Sequence, residues 1–452
     1  FTLGQRTHII PFKDGGIDEI KIYDRALTGL EVLYEYNPAE ATAVINNQES
    51  DKQSSLLQEH YWMRADASAK MLRDSLHHQR VKINDLINQI PEIMVMGDLE
   101  EPRPTYVLDR GLYDSPTQEV QPGVPETVLS FGEEFPRNRL GLTQWMFDDD
   151  NPITARVFVN RVWQMHFGQG LVETSEDFGN QGALPSHPEL LDWLAVTFAE
   201  SDWDIKALHK LIVMSATYRQ SSVITPESAE RDPNNTLLAR GPRFRLPAEM
   251  IRDNALAISG LLVDTVGGAS VYPYQPAGLW DELSNKGWRY QYLQEPGDGL
   301  YRRSLYTVWK RTSPPPSMLI FDVSDRSVCT VRRRTTSTPL QALVLLNDPQ
   351  YLEASRALAE RLMQENQSAV EQQLEKAFRL ITGRVPDEPE MRMLTEFYRK
   401  EVHRFESRPE DATAYLAIGE STGDTSLPTA QVAALATVSN AIMNTNEAYT
   451  RQ

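Results

Sequence analysis

One cysteine, Cys329, is all the thiol chemistry in the 452 residues. It excludes an internal disulfide, a haem-attaching Cys-x-x-Cys-His run and a zinc ribbon. Long apolar runs are scarce too. No stretch approaches the roughly 18 to 20 apolar residues that span a bilayer, and the N-terminus lacks the basic-then-apolar pattern of a signal peptide. There is no His-Glu-x-x-His metal pair and no Gly-x-x-x-x-Gly-Lys-Ser/Thr phosphate cradle. Gly168-Gln169-Gly170 and Gly267-Gly268 lack the further glycines of a dinucleotide loop and read as turns. Cations are the minority charge: 45 lysines and arginines face 63 carboxylates, for a formal net charge of -18. A field of that sign repels polyphosphates and anionic lipid, so nucleic acid is excluded as a general partner.

What remains is the composition of a folded protein, 40% hydrophobic and 24% charged, in a length that suits two or three domains. Near the start, Gly15-Gly16-Ile17-Asp18-Glu19-Ile20-Lys21-Ile22-Tyr23 alternates like a half-buried strand behind a Gly-Gly turn. The piece is too short to bury two sheet faces, and the chain opens on Phe1 within strand-rich sequence. It is therefore expected to be the end of a β-sandwich whose remainder lies in a missing N-terminal part. The alternative is an ordinary hairpin on the helical body.

From about residue 49 to 90 the period becomes helical, with Leu72, Leu76, Gln79, Ile83, Leu86 and Ile90 at alternating threes and fours. Pro91 ends this stretch, and a proline-rich extended segment follows, with Tyr106-Val107-Leu108 as its strand candidate. Asn151-Pro152 reads as a helix start, carrying Arg156 to His166, and Ser186-His187-Pro188-Glu189 as a capping box. Further helices are expected from about 204, over 247–262, 351–363, 370–381, 391–405 and 432–443, and a strand over 301–311. The fold class is mainly α: a multi-helix globular domain with a few short strands, preceded by the terminal strands of a β-sandwich. Its divisions fall at 1–36 for the sandwich end, 37–94 for a helical connector, 95–139 for the extended segment and 140–448 for the helical domain.

Two sets of residues are candidates for chemistry. His166, His187 and His209 come from successive helices with Asp177 in a loop between them, a pattern open to acid–base work or to a plain structural role. The stretch 301–334 carries eight cations against two carboxylates, a net of +6 inside an acidic chain. Arg302, Arg303, Arg332 and Arg333 with Tyr306 and Trp309 would suit an anionic sugar, unless the guanidinium groups pair internally. Cys329 within this stretch, between the turn of Asp322 to Arg326 and the triple arginine, reads as a small hydrophobe or a thiol of lowered pKa. No metal site is read.

Several runs together resemble one family: Asn151-Pro152-Ile153-Thr154-Ala155-Arg156-Val157-Phe158-Val159-Asn160-Arg161-Val162-Trp163, Phe167-Gly168-Gln169-Gly170-Leu171-Val172, Pro185-Ser186-His187-Pro188-Glu189-Leu190-Leu191, Cys329-Thr330-Val331-Arg332-Arg333 and Thr338-Pro339-Leu340-Gln341-Ala342-Leu343. The sequence over roughly 95–448 is similar to the planctomycete-specific C-terminal domain, domain of unknown function 1553. The resemblance implies a large protein with an N-terminal cytochrome c domain and a laminin G-like (concanavalin-like) sandwich, and the run from Gly16 to Leu27 resembles the end of such a sandwich. It also implies a periplasmic or cell-surface location, no cofactor in this chain, and haem c in the missing region. It supplies no catalytic residues. Three functions stay open: a module holding an anionic polysaccharide or docking the cytochrome and lectin-like domains, a part of a haem-linked enzyme acting on extracellular polysaccharide, and a helical scaffold.

Overall fold

The computed structural model describes residues 5–6, 10–11, 19–46, 51–99, 101, 103–282, 292–365 and 369–451. It divides into two units, Phe1–Val120 and Gln121–Gln452.

In the first unit the strands β1 (Gln5–Arg6) and β2 (Ile10–Pro11) pair antiparallel. Four helices follow: α1 (Gly29–Tyr36), α2 (Pro38–Asn46), α3 (Asp51–Arg64) and α4 (Ala67–Gln89). Thr28 opens α1 with a reciprocal cap. Its hydroxyl accepts from the Glu31 N–H at 3.3 Å, and the Glu31 carboxylate accepts from the Thr28 N–H at 2.8 Å. Arg64 reaches the same carboxylate from α3 at 2.6 Å, and this hydrogen bond is the main reason Glu31 sits well below the ordinary carboxylate range. Leu30, Ala41 and Val44 form a small core with Leu33 and Leu57. Asp66 caps α4 by accepting from the Ala69 N–H at 2.6 Å. Strands β3 (Thr105–Leu108) and β4 (Pro116–Val120) make an antiparallel hairpin.

The strand expected over 17–23 is not formed in its described part. Residues 19–23 carry no strand, and Ile20 and Ile22 are exposed, because alternation stabilises a strand only when a neighbour takes its backbone hydrogen bonds. Residues 15–18 lie outside the described residues. The described sheets are pairs of two strands, and none closes into a sandwich.

The second unit contains α5 (Arg139–Met146), α6 (Thr154–Phe167), α7 (Pro188–Glu200), α8 (Ile205–Met214), α9 (Pro226–Arg231), β5 (Phe244–Arg245), α10 (Ala248–Ser259) and α11 (Leu279–Glu282). It continues with α12 (Pro316–Ile320), α13 (Pro339–Asn347), α14 (Pro349–Glu365), α15 (Val370–Thr382), α16 (Glu388–Ser407), α17 (Pro409–Leu416), α18 (Thr429–Met443) and β6 (Thr450–Arg451). The larger core centres on α14 and α18. Ala354, Leu358, Ala359 and Leu362 meet a run of small and branched residues, Ala433 to Ala436 with Val438. Alanine on both helices lets the backbones approach closely, and each fully buried leucine stabilises by roughly 1.5–3 kcal/mol. A second core joins α6, α7 and α8 through Val159, Val162, Trp163, Leu191, Leu194, Phe198, Leu208 and Ile212. Trp163 and Phe167 stack there with centroids 4.1 Å apart.

Three sequence expectations are corrected. Residues 301–311 are short 3-10 turns, Gly297–Tyr301 and Ser304–Tyr306, with isolated bridges at Arg302 and Thr307. Arg252 gathers the carbonyls of Leu300 and Arg302, and that bends the backbone out of a ladder. Asn151 makes a side-chain turn just ahead of α6, its Oδ1 accepting from the Ile153 and Thr154 N–H groups at 3.0 and 3.2 Å, but Ile153 is the residue at the helix boundary, the helix begins at Thr154 and Pro152 stays outside it. Ser186 makes no capping box, because its hydroxyl donates to the Leu171 carbonyl at 3.2 Å, while Pro188 opens α7.

Candidate functional site

The hinge of the site is the end of α6. Gly168 is left-handed at φ +77, and a Cβ on it would meet the Phe244 ring at 2.9 Å. Gly170 lies against the Asn160 carboxamide, where a Cβ would come within 2.6 Å. Both positions therefore require glycine. Asn160 is fully buried inside α6 and staples the loop that follows: its Nδ2 donates to the Val172 carbonyl at 3.1 Å, and its Oδ1 accepts from the Val172 N–H at 2.8 Å. Ser175 extends the network, donating to Gln164 Oε1 at 2.7 Å.

This fixed loop walls one side of a cavity of about 520 Å³. The other wall is the segment Pro233 to Phe244. That segment is held by groups that have no freedom left for a ligand. The Asp232 carboxylate accepts from the Thr236 and Leu237 N–H groups, both at 2.8 Å, and the buried Arg240 donates to the Asp232 and Pro233 carbonyls at 2.8 Å. Asn235 donates to the Arg240 carbonyl at 2.8 Å. Asn234, the Thr236 hydroxyl, Gln169 and Arg243 also line the cavity, and their side chains have no hydrogen-bond partner among the described residues. Trp163, Phe167 and Phe244 give it an aromatic side. Polar donors around an aromatic wall can hold a molecule with hydroxyls on its rim and apolar C–H faces.

The structure brings two of the four acid–base candidates together. His166 on α6 and His209 on α8 share a hydrogen bond of 2.8 Å from Nε2 to Nδ1. Tyr218 stands edge-on to His166 at 5.5 Å, and the Arg451 guanidinium lies 4.0 Å over the Tyr218 ring while donating to the His166 carbonyl. Burial, then His209 and Arg451, lower the His166 pKa. Asp177 is spent on its own turn, its carboxylate accepting from the Gly179 N–H at 2.7 Å. His187 meets Ser186 Oγ at 3.0 Å. Neither is hydrogen-bonded to the histidine pair among the described residues.

The four arginines read as an anion site, Arg302, Arg303, Arg332 and Arg333, are engaged with the protein itself. Arg302 lies 3.8 Å over the Tyr306 ring and donates to the carbonyls of Thr265, Gly267 and Ala269. Arg303 binds Asp264 at 2.5 Å, Arg332 binds Glu176 at 3.0 Å, and Arg333 makes a two-pronged pair with Glu249 at 2.6 and 3.0 Å. Trp309 donates to the Asp325 carbonyl at 3.1 Å beneath Arg326. Cys329 is exposed.

Sequence reasoning passed over Asn160, Asn234, Thr236 and Arg243; the turn chemistry of Pro233-Asn234-Asn235 was the available signal. It also missed Gly419-Glu420-Ser421-Thr422-Gly423, which has the Gly-x-Ser-x-Gly spacing of a hydrolase elbow. In the structure this run is a loop rather than a strand-to-helix turn, and Ser421 Oγ accepts from Arg356 at 2.6 Å. Among the described residues no group of three or more metal-ligating side chains occurs, and no helix is long and apolar enough to cross a membrane.

A family model described as protein of unknown function (DUF1553) matches residues 138–398. No curated protein and no solved structure matches the chain.

Proposed function

The chain belongs to the DUF1553 family of proteins of unknown function, and we propose that it is an extracytoplasmic, carbohydrate-binding module of a larger cytochrome-linked protein. The observation that carries the binding is the cavity beside Gly168. Its volume of about 520 Å³ falls within the roughly 300–1,000 Å³ of small-ligand sites. Asn234, Thr236 and Gln169 offer amide and hydroxyl groups to sugar hydroxyls, and Arg243 offers a guanidinium fork to a carboxylate substituent. The periplasmic or cell-surface setting and the association with cytochrome and laminin G-like domains follow from the family resemblance. Calorimetric titration with neutral and uronic-acid oligosaccharides tests the reading. Binding of a uronic-acid oligomer that weakens about tenfold or more in Arg243→Ala supports it. Absence of binding across the panel, or binding untouched by Arg243→Ala and Asn234→Ala, contradicts it.

A second reading, the helical scaffold, is favoured by one observation: Arg302, Arg303, Arg332 and Arg333 all tie separate segments together. On that reading their substitution lowers stability without changing any ligand affinity.

A further inference from the structure

The helix α4 buries none of its side chains. Yet Leu72, Leu76, Gln79, Ile83, Leu86 and Ile90 follow one another at alternating fours and threes, and a repeat of seven residues draws a single seam along one side of a helix. Leu72 is 73% exposed, Leu76 51%, Ile83 55%, Leu86 62% and Ile90 57%. A seam of this kind is complete only when a second helix inserts its own side chains between these residues. Leu76 and Ile83 share one heptad core position, which Ile90 continues just past the end of the helix, and Leu72 and Leu86 share the other with Gln79; a β-branched residue at the first position with leucine at the second suits a two-stranded pairing. Asp66 already caps the helix, so a partner meets a preformed surface.

The charges beside the seam choose the partner. Arg73, Arg80 and Lys82 fall on its two flanks, whereas Asp74 and Asp85 fall on the far side of the helix. Arg73 is occupied, donating to the Met63 carbonyl at 2.8 Å. Arg80 and Lys82 have no charged partner among the described residues. A second copy of this chain would line the seam with cations from both helices and no carboxylate from either, so self-pairing is disfavoured. We infer that α4 is half of a heterotypic coiled coil, and that the partner is a heptad-patterned helix of another protein with acidic residues flanking its seam. Gln79, the one polar residue in the core line, sets the register by selecting a polar residue opposite it.

The test uses the full chain and two labelled peptides of about three heptads, identical in the core but flanked by glutamate in one and lysine in the other. Fluorescence anisotropy is expected to show binding of the glutamate peptide, weakened by added salt, and none of the lysine peptide at the same concentration. Leu76→Asp with Ile83→Asp weakens binding about tenfold or more, and Arg80→Glu with Lys82→Glu reverses the preference between peptides. The proposal is overturned by equal binding of the two peptides or by none of the glutamate peptide. It is also overturned if sedimentation shows a dimer of the chain that the aspartate substitutions dissolve. A fall in melting temperature caused by Leu76→Asp alone would show the face packed within the chain itself, and that too overturns it.

Discussion

The Tyr301 hydroxyl donates to Glu353 Oε1 at 2.8 Å, where the carboxylate is only 1% exposed. The same oxygen accepts from the Ser421 N–H at 2.6 Å, and Arg356, equally buried, donates to the Ser421 carbonyl at 2.8 Å. This network pins the loop after α17 onto α14. Burial and the Glu353 hydrogen bond push the Tyr301 hydroxyl up to about 12, so it remains a donor across the neutral range.

Tyr301→Phe removes that donor and leaves a buried carboxylate oxygen partly unsatisfied, which costs about 1–3 kcal/mol. Gly419→Ala acts on the same network from the loop side. Gly419 is left-handed at φ +94, and an added Cβ would strike the Glu353 carboxylate, so a loss of more than about 1 kcal/mol is expected. Urea unfolding of the two variants checks both; an unchanged midpoint in either refutes the assignment.

Arg252 is 3% exposed on its side chain, stands 3.7 Å from Asp253 Oδ1 and serves four hydrogen-bond acceptors. It donates to the carbonyls of Leu300 at 2.6 Å and Arg302 at 2.8 Å, to Ser304 Oγ at 3.2 Å and to Gln350 Oε1 at 2.5 Å. Arg252→Met keeps much of the volume but strands every acceptor. A loss of about 3–5 kcal/mol in chemical denaturation is expected, together with loosening of residues 300–304 seen as faster amide exchange.

His166 gives a pH dependence. Burial, helped by His209 and Arg451, lowers its pKa below the ordinary 6.5, so the folded chain binds fewer protons than the unfolded one. Its contribution to stability is complete above the unfolded value and is lost as pH falls from about 6.5 through the folded value. An NMR titration of the imidazole should place its midpoint below 6.5 and move it upward in Arg451→Ala. A midpoint at or above 6.5 in the unsubstituted protein contradicts the described environment.

The helices were legible where periodicity and end signals agreed. In α15, Leu374 and Phe378 share the buried face and Gly383 closes the helix in the left-handed conformation. In α8, Asp204 caps as its position suggests, accepting from the Ala207 N–H at 3.0 Å. The helix α13 was illegible because its apolar residues surround it, with Leu340 and Leu343 exposed and Leu345 buried; no polar face marks a period. The basic stretch was legible as charge but not as structure, since the partners of its arginines lie far away in sequence, as Glu176 does for Arg332. The cavity was hidden for the same reason. Asn234, Thr236 and Arg243 reach it from turns whose course is set by the hydrogen bonds of Asp232 and Arg240, and no local repeat announces them.

The most direct measurement is a side-by-side calorimetric titration of the unsubstituted chain and of Arg243→Ala with one uronic-acid oligosaccharide. Arg243 is exposed, so its removal leaves the fold intact. Saturable one-site binding to the former and an affinity about tenfold or more weaker for the latter is the predicted result. Equal affinities, or no heat in either titration, would contradict the assignment of the cavity beside Gly168 as a carbohydrate site.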